Sequence, residues 1–176
     1  MNNINLIGYR CCGKSSVGMK LAEVLRRPFV DADAAFIEHT TVSIIDFVAK
    51  SGWDEFRKVE SQILLDLCKR ENIILATGGG VVLNPDNRRV LQVSGVNFWM
   101  QIRQETVFTR LTTDSVSATQ RPSLSSLSLD DEIALGLKER EPFYREVADH
   151  SIVVDDLSVD EIAAQILSQY CGGRVV

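Results

Sequence analysis

The stretch LIGYRCCGKSS, residues 6–16, decides how the rest of the chain is read. An apolar run ends on Gly8, four residues intervene, and Gly13 is followed at once by Lys14 and Ser15. Glycines at both ends let a loop turn so that successive backbone N–H groups point inward. A helix opening at Lys14 adds the positive end of its dipole. A lysine there places a cation on outer phosphates, and a serine hydroxyl can ligate Mg2+. Gly-x-x-x-x-Gly-Lys-Ser between a strand and a helix therefore predicts a loop that cradles nucleotide phosphates. It does not say what receives a phosphate.

Outward from this loop, short apolar runs alternate with helical periods. Residues 4–9, 29–31, 72–77, 95–102 and 150–155 read as five buried strands. Between them, 14–25 repeats apolar residues three and four apart, and 53–69 does the same after a break near Ser51-Gly52. Further helices are expected over 85–91, 105–111 and 131–147, the last kinked or restarted at Pro142. The last helix carries a capping box, Ser158-x-x-Glu161, and ends at Gly172-Gly173. Residues 112–130 are rich in Ser and Thr with no apolar period, which predicts a mobile surface loop. The whole predicts one α/β domain over 1–176: a five-stranded parallel sheet covered by helices on both faces. Ligands of such sheets bind at the carboxyl ends of the strands.

Composition narrows the function. The 176 residues are 45% hydrophobic, with a formal net charge of -5. No basic run suggests a nucleic acid or an anionic membrane as partner. No apolar stretch approaches a membrane span, and the first residues do not resemble a signal peptide, so the expected location is the cytoplasm. Four cysteines without a CxxC pair, and two histidines far apart, make a zinc site a poor reading and fit a reduced protein.

Other residues stand out by position. Asp31 and Asp33, at the end of the second strand, would face one side if extended; they suit either a magnesium-phosphate site or a plain strand-end cap. Arg57 and Glu60 lie three apart on a helix, as a surface ion pair would. Gly78, Gly79 and Gly80 follow a strand where one glycine normally suffices, which suggests a close approach to the backbone. Arg140 falls on the inward stripe with Ile133, Leu137, Tyr144 and Val147, and an inward arginine wants an anion.

Taken in order, GYRCCGKS, DAD, FRKVE, TGGG, RP and REPFYREVA resemble the shikimate kinase family, from about residue 3 to 148. The resemblance implies a P-loop, nucleoside-monophosphate-kinase-like three-layer sandwich whose 112–130 segment is a mobile lid. It implies transfer of a phosphoryl group from ATP, with Mg2+, to the 3-hydroxyl of shikimate, in aromatic amino acid biosynthesis. Gly8, Arg10, Cys11, Cys12, Gly13, Lys14, Ser15 and Ser16 would then surround the ATP phosphates, with Ser15 and Asp31 near the metal. Arg110 would lie near the adenine, and Arg121 would stabilise the transferring phosphoryl from the lid. Arg57 and Arg140 would grip the shikimate carboxylate, Glu60 would steady Arg57, and Gly79 and Gly80 would contact the substrate. Asp33 would bind its hydroxyls and accept the proton, so that Lys14, Asp33 and Arg121 form the catalytic group. A monomer is expected.

The chain departs from the family at Arg10, Cys11 and Cys12, where a glycine or small residue is usual. Arg10 is bulky for a loop crest unless it faces solvent. Cys11 and Cys12, beside Lys14 and a helix start, either fill space or carry some thiolate character. The segment after Arg121-Pro122 has Ser123-Leu124 where Leu-Leu is frequent, and no arginine marks an adenine contact after residue 154. Two rival readings share the phosphate loop: a sugar-acid kinase of the same fold, and a nucleotide-binding regulator without catalysis.

Overall fold

The computed structural model describes residues 2–113 and 128–172. Five strands form one all-parallel sheet: β1 (Asn3–Ile7), β2 (Phe29–Asp31), β3 (Ile74–Ala76), β4 (Gly95–Gln101) and β5 (His150–Val153), in the order β2-β3-β1-β4-β5. The helices are α1 (Lys14–Leu25), α2 (Ala32–Thr40), α3 (Ile44–Cys68), α4 (Pro85–Ser94), α5 (Gln104–Thr113), α6 (Leu129–Val147) and α7 (Val159–Gly172), with a short 3-10 turn over Val81–Leu83.

The two-residue alternation of a strand splits the core into two layers. Ile4, Leu6, Ile74, Phe98 and Met100 pack with Val17 and Leu21 of α1 and Ile162 and Ile166 of α7. Ile7, Leu75 and Trp99 face the other way, onto Phe36, Phe56, Leu64, Leu91 and Tyr144 from α2, α3, α4 and α6. Both faces are thus covered, as the apolar strands require.

The expected elements are present, with informative differences. Gly52 interrupts α3 at φ 80, ψ 169, so the break seen in the sequence is real although the helical run continues past it. Pro142, by contrast, starts no new helix: α6 runs through it with Pro142 exposed, and Ile133, Gly136, Arg140, Tyr144 and Val147 all buried. The inward stripe therefore holds, Arg140 included. Asp31 and Asp33 do not share an extended segment. Asp31 ends β2 and caps α2, its Oδ1 accepting from the amides of Asp33 and Ala34, so Asp33 already lies in the first helical turn. The capping box forms at α7, with the Ser158 amide donating to Glu161 Oε2 at 2.8 Å. Most of the segment expected as a lid, with Arg121, lies outside the described residues.

Candidate active site

The ends of β1, β2 and β3, neighbours in the sheet, open into a cleft of about 740 Å3. Its walls include Arg10 through Ser16, Asp31, Asp33, Thr77, Gly79 and Arg110. They also include Leu157, Val159 and Ile162, from the approach to α7 and its first turn.

The loop after β1 is wound tightly. Gly8 has φ 145, and a side chain there would press on the Met100 carbonyl at 2.6 Å. Gly13 caps α1 at φ 91, also a glycine conformation. Cys11 sits between them at φ 63, an uncommon place for a residue with a side chain. Lys14 is buried, and its ammonium folds back on the loop, donating to the Gly8 and Tyr9 carbonyls, each at 2.9 Å, and to Cys12 Sγ at 3.4 Å. Arg110 reaches across from α5 and donates to the Cys11 carbonyl at 2.8 Å, which places it beside the loop.

Of the two readings of Cys11, space-filling fits its surroundings better: burial pushes its thiol up, against the pull of Arg10 and Lys14. Cys12 is fully buried and fills space beneath the loop. Arg10 does not face solvent either. Its side chain is only 14% exposed, and its Nη2 pairs with Glu132 of α6 at 2.7 Å.

Ser15 and Asp31 meet. The Ser15 hydroxyl donates to Asp31 Oδ2 at 2.6 Å while Oδ1 of the same carboxylate caps α2. Asp31 is therefore both the plain cap and a member of the cleft, one oxygen for each. Two hard oxygen donors facing a phosphate loop suit Mg2+ held jointly with phosphates and water. Among the described residues no group of three or more Asp, Glu, His or Cys side chains is placed to hold a metal ion, so they alone offer no complete cage.

The three glycines after β3 each receive a different side chain. A Cβ on Gly78 would sit 2.5 Å from Glu60 Oε1 and 3.3 Å from Asp33 Oδ1. The Gly79 carbonyl accepts from Arg140 Nη1 at 3.3 Å, and its Cα faces the Arg10 amide and the Gly8 carbonyl. Gly80 lies under the guanidinium of Arg57. Asp33, Arg57 and Arg140, remote along the chain, thus converge on one turn. Glu60, buried and three residues from Arg57, bonds Arg57 Nη1 at 2.5 Å; this is no surface pair. Aromatic rings steady both arginines: Arg57 lies over Phe56 at 5.1 Å and Trp53 at 5.6 Å, and Arg140 over Tyr9 at 5.2 Å.

Arg140 is 7% exposed and its Nε–H has no acceptor among the described residues. A buried guanidinium donor left open is costly without an anion to fill it.

Sequence reasoning missed Gly78 as the spacer between Glu60 and Asp33. It also missed Tyr9, whose ring lies under Arg140, and Glu132, which pairs with Arg10. Tyr144 was legible as core, one turn beyond Arg140. Nothing in the local sequence marks Glu132 as buried, since Asp130, Asp131 and Glu132 look alike at a helix start.

The match to known proteins agrees with this geometry. Residues 10–171 fit the family model described as shikimate kinase. A shikimate kinase of Nitratidesulfovibrio vulgaris is 42% identical over 147 residues, covering 84% of this chain and 83% of that protein. One from Syntrophus aciditrophicus is 39% identical over 180 residues, covering 98% and 92%. Among solved structures, a shikimate kinase from Acinetobacter baumannii in complex with shikimate superposes with a TM-score of 0.93 at 31% identity, covering 100% of this chain and 96% of that one.

Proposed function

The chain belongs to the shikimate kinase family, and from that premise we propose which of its residues carry the transfer of a phosphoryl group from ATP to shikimate. The observation that carries the assignment is the convergence of Asp33, Arg57 and Arg140 on the glycine turn beside the phosphate loop.

ATP enters with its phosphates along residues 8–16. Loop amides and the α1 N-terminus meet the phosphate oxygens, and Lys14 exchanges its loop carbonyls for the outer phosphates. Arg110 and the apolar wall of Leu157, Val159 and Ile162 border the space left for the base. Ser15 and Asp31 would hold Mg2+, which would neutralise developing phosphate charge.

Shikimate is a small ring with one carboxylate and three hydroxyls. Arg140, through its open Nε–H, and Arg57, held by Glu60, take the carboxylate; two guanidinium forks match that anion. The glycine turn lets the ring lie close to the backbone. Asp33, at the cleft wall, orients the 3-hydroxyl and accepts its proton as the oxygen attacks. Positioning and charge neutralisation supply most of the rate. Arg121, outside the described residues, is assigned to the transferring phosphoryl on the family resemblance alone.

The test is ADP release with shikimate against a panel of sugar acids. Turnover confined to shikimate supports the assignment; equal turnover of a sugar acid overturns it.

A further inference from the structure

Tyr144 lies one helical turn beyond Arg140 on α6 and is 2% exposed. Its hydroxyl donates to the Gly79 carbonyl at 2.5 Å, the same oxygen that accepts Arg140 Nη1 at 3.3 Å. One carbonyl thus takes two donors, and the shorter bond belongs to the tyrosine. Gly79 in turn is wedged against the start of the phosphate loop, where an added Cβ would stand 3.1 Å from the Arg10 amide. The tyrosine ring is fixed from behind by Trp99, stacked at 5.9 Å and 24°. Burial pushes the phenol well above its ordinary range, so it stays a donor at neutral pH.

We infer that Tyr144 is a positioning residue for the acceptor site. By taking the Gly79 carbonyl it leaves Arg140 Nη1 only a long bond there, so the guanidinium is not drawn fully onto the turn and its Nε–H remains open to the carboxylate. It also pins the glycine turn at its seat on the phosphate loop. The inference rests on the reading that Arg140 binds the shikimate carboxylate. Without the phenol hydroxyl, Gly79 would draw Arg140 into a full hydrogen bond and away from the substrate.

The experiment compares Tyr144→Phe, which keeps the ring and its stack on Trp99, with Arg140→Ala. Binding of shikimate and of its neutral methyl ester is measured for each, together with kcat and the KM for ATP. Tyr144→Phe is expected to weaken shikimate binding about fivefold, the size of one net hydrogen bond. Ester affinity, kcat and the ATP KM should stay within about twofold. Equal loss for acid and ester would show a merely structural role and overturn the inference, as would no loss for either. If Arg140→Ala leaves the preference for acid over ester intact, the carboxylate assignment itself fails, and this inference with it. If only Arg140→Ala lowers that preference, the assignment stands and Tyr144 has no part in it.

Discussion

The guanidinium of Arg57 occupies the space that a side chain on Gly80 would need. The absent Cβ is what admits the arginine to the turn. Gly80→Ala must therefore displace Arg57, the movable end of a long side chain, rather than the backbone. Gly80 has φ -102, so alanine brings no backbone strain. We expect a shikimate KM raised at least about tenfold, as for loss of a buried charge contact, with the ATP KM unchanged. Steady-state kinetics with each substrate varied checks this; an unaltered shikimate KM would place the carboxylate elsewhere.

Asp31 divides its two oxygens between helix cap and cleft, and the divided roles separate by substitution. Asp31→Asn keeps an oxygen for the cap but removes the charge. The Mg2+ concentration for half-maximal activity should rise about tenfold while thermal stability holds. Asp31→Ala should lose the same function and also about 1 kcal/mol of stability, from the lost cap. Melting curves at several Mg2+ concentrations distinguish the two; equal Mg2+ dependence in wild type and Asp31→Asn would remove Asp31 from the metal site.

Lys14 spends its ammonium on the Gly8 and Tyr9 carbonyls and on Cys12 Sγ. Those contacts are replaceable, whereas its charge on the phosphates is not. Lys14→Met should lower kcat by about 100- to 1,000-fold, in line with loss of one strong transition-state donor. Pre-steady-state kinetics that found near-normal phosphoryl transfer would refute the role.

Gly136 faces Tyr9 closely: a Cβ there would lie 2.6 Å from the phenol oxygen and 3.0 Å from Cε2. Gly136→Ala should destabilise the protein by about 1–3 kcal/mol through overpacking. Adding Tyr9→Phe removes the nearest atom and should restore part of that loss. Denaturant melts of the single and double variants test the pair, with strict additivity as the adverse result.

Cys11 has a thiol pushed up by burial, so its reactive thiolate is scarcer at neutral pH than in a free cysteine and grows only as pH rises beyond the usual thiol range. Cys171 is exposed. Iodoacetamide at neutral pH should label Cys171 before Cys11, and Cys11 labelling should climb with pH and fall when MgATP fills the cleft. Mass spectrometry that found Cys11 labelled as fast as Cys171 would contradict the burial effect.

Much of this was legible in the sequence because periodicity and loop chemistry are local. The phosphate loop, the five strands and the break at Gly52 follow from residues within a few positions of one another. Arg140 declared itself only in part: its place on the stripe was legible, but Pro142 reads in sequence as a kink or restart, and the structure is what carries the stripe through it. What stayed hidden depends on partners far along the chain. Glu60 looked like half of a surface pair because three-residue spacing on a helix says nothing of what covers that face; Gly78 does. The Asp31–Asp33 spacing misled because a strand of three residues turns helical between them. Arg10 looked solvent-bound because its anion, Glu132, is 122 positions away.

The pairing of Ile4 with Ile74, and of Leu6 with Ala76, joins parts of the chain some 70 residues apart. Those same pairings bring the phosphate loop and the glycine turn side by side. Neither subsite can exist in a partly assembled chain, so each substrate should bind the native state alone. Nucleotide or shikimate at saturating concentration will then raise the unfolding temperature by mass action, and the gain will track ligand affinity. A thermal-shift titration thus reads out occupancy of either half of the cleft with no turnover at all.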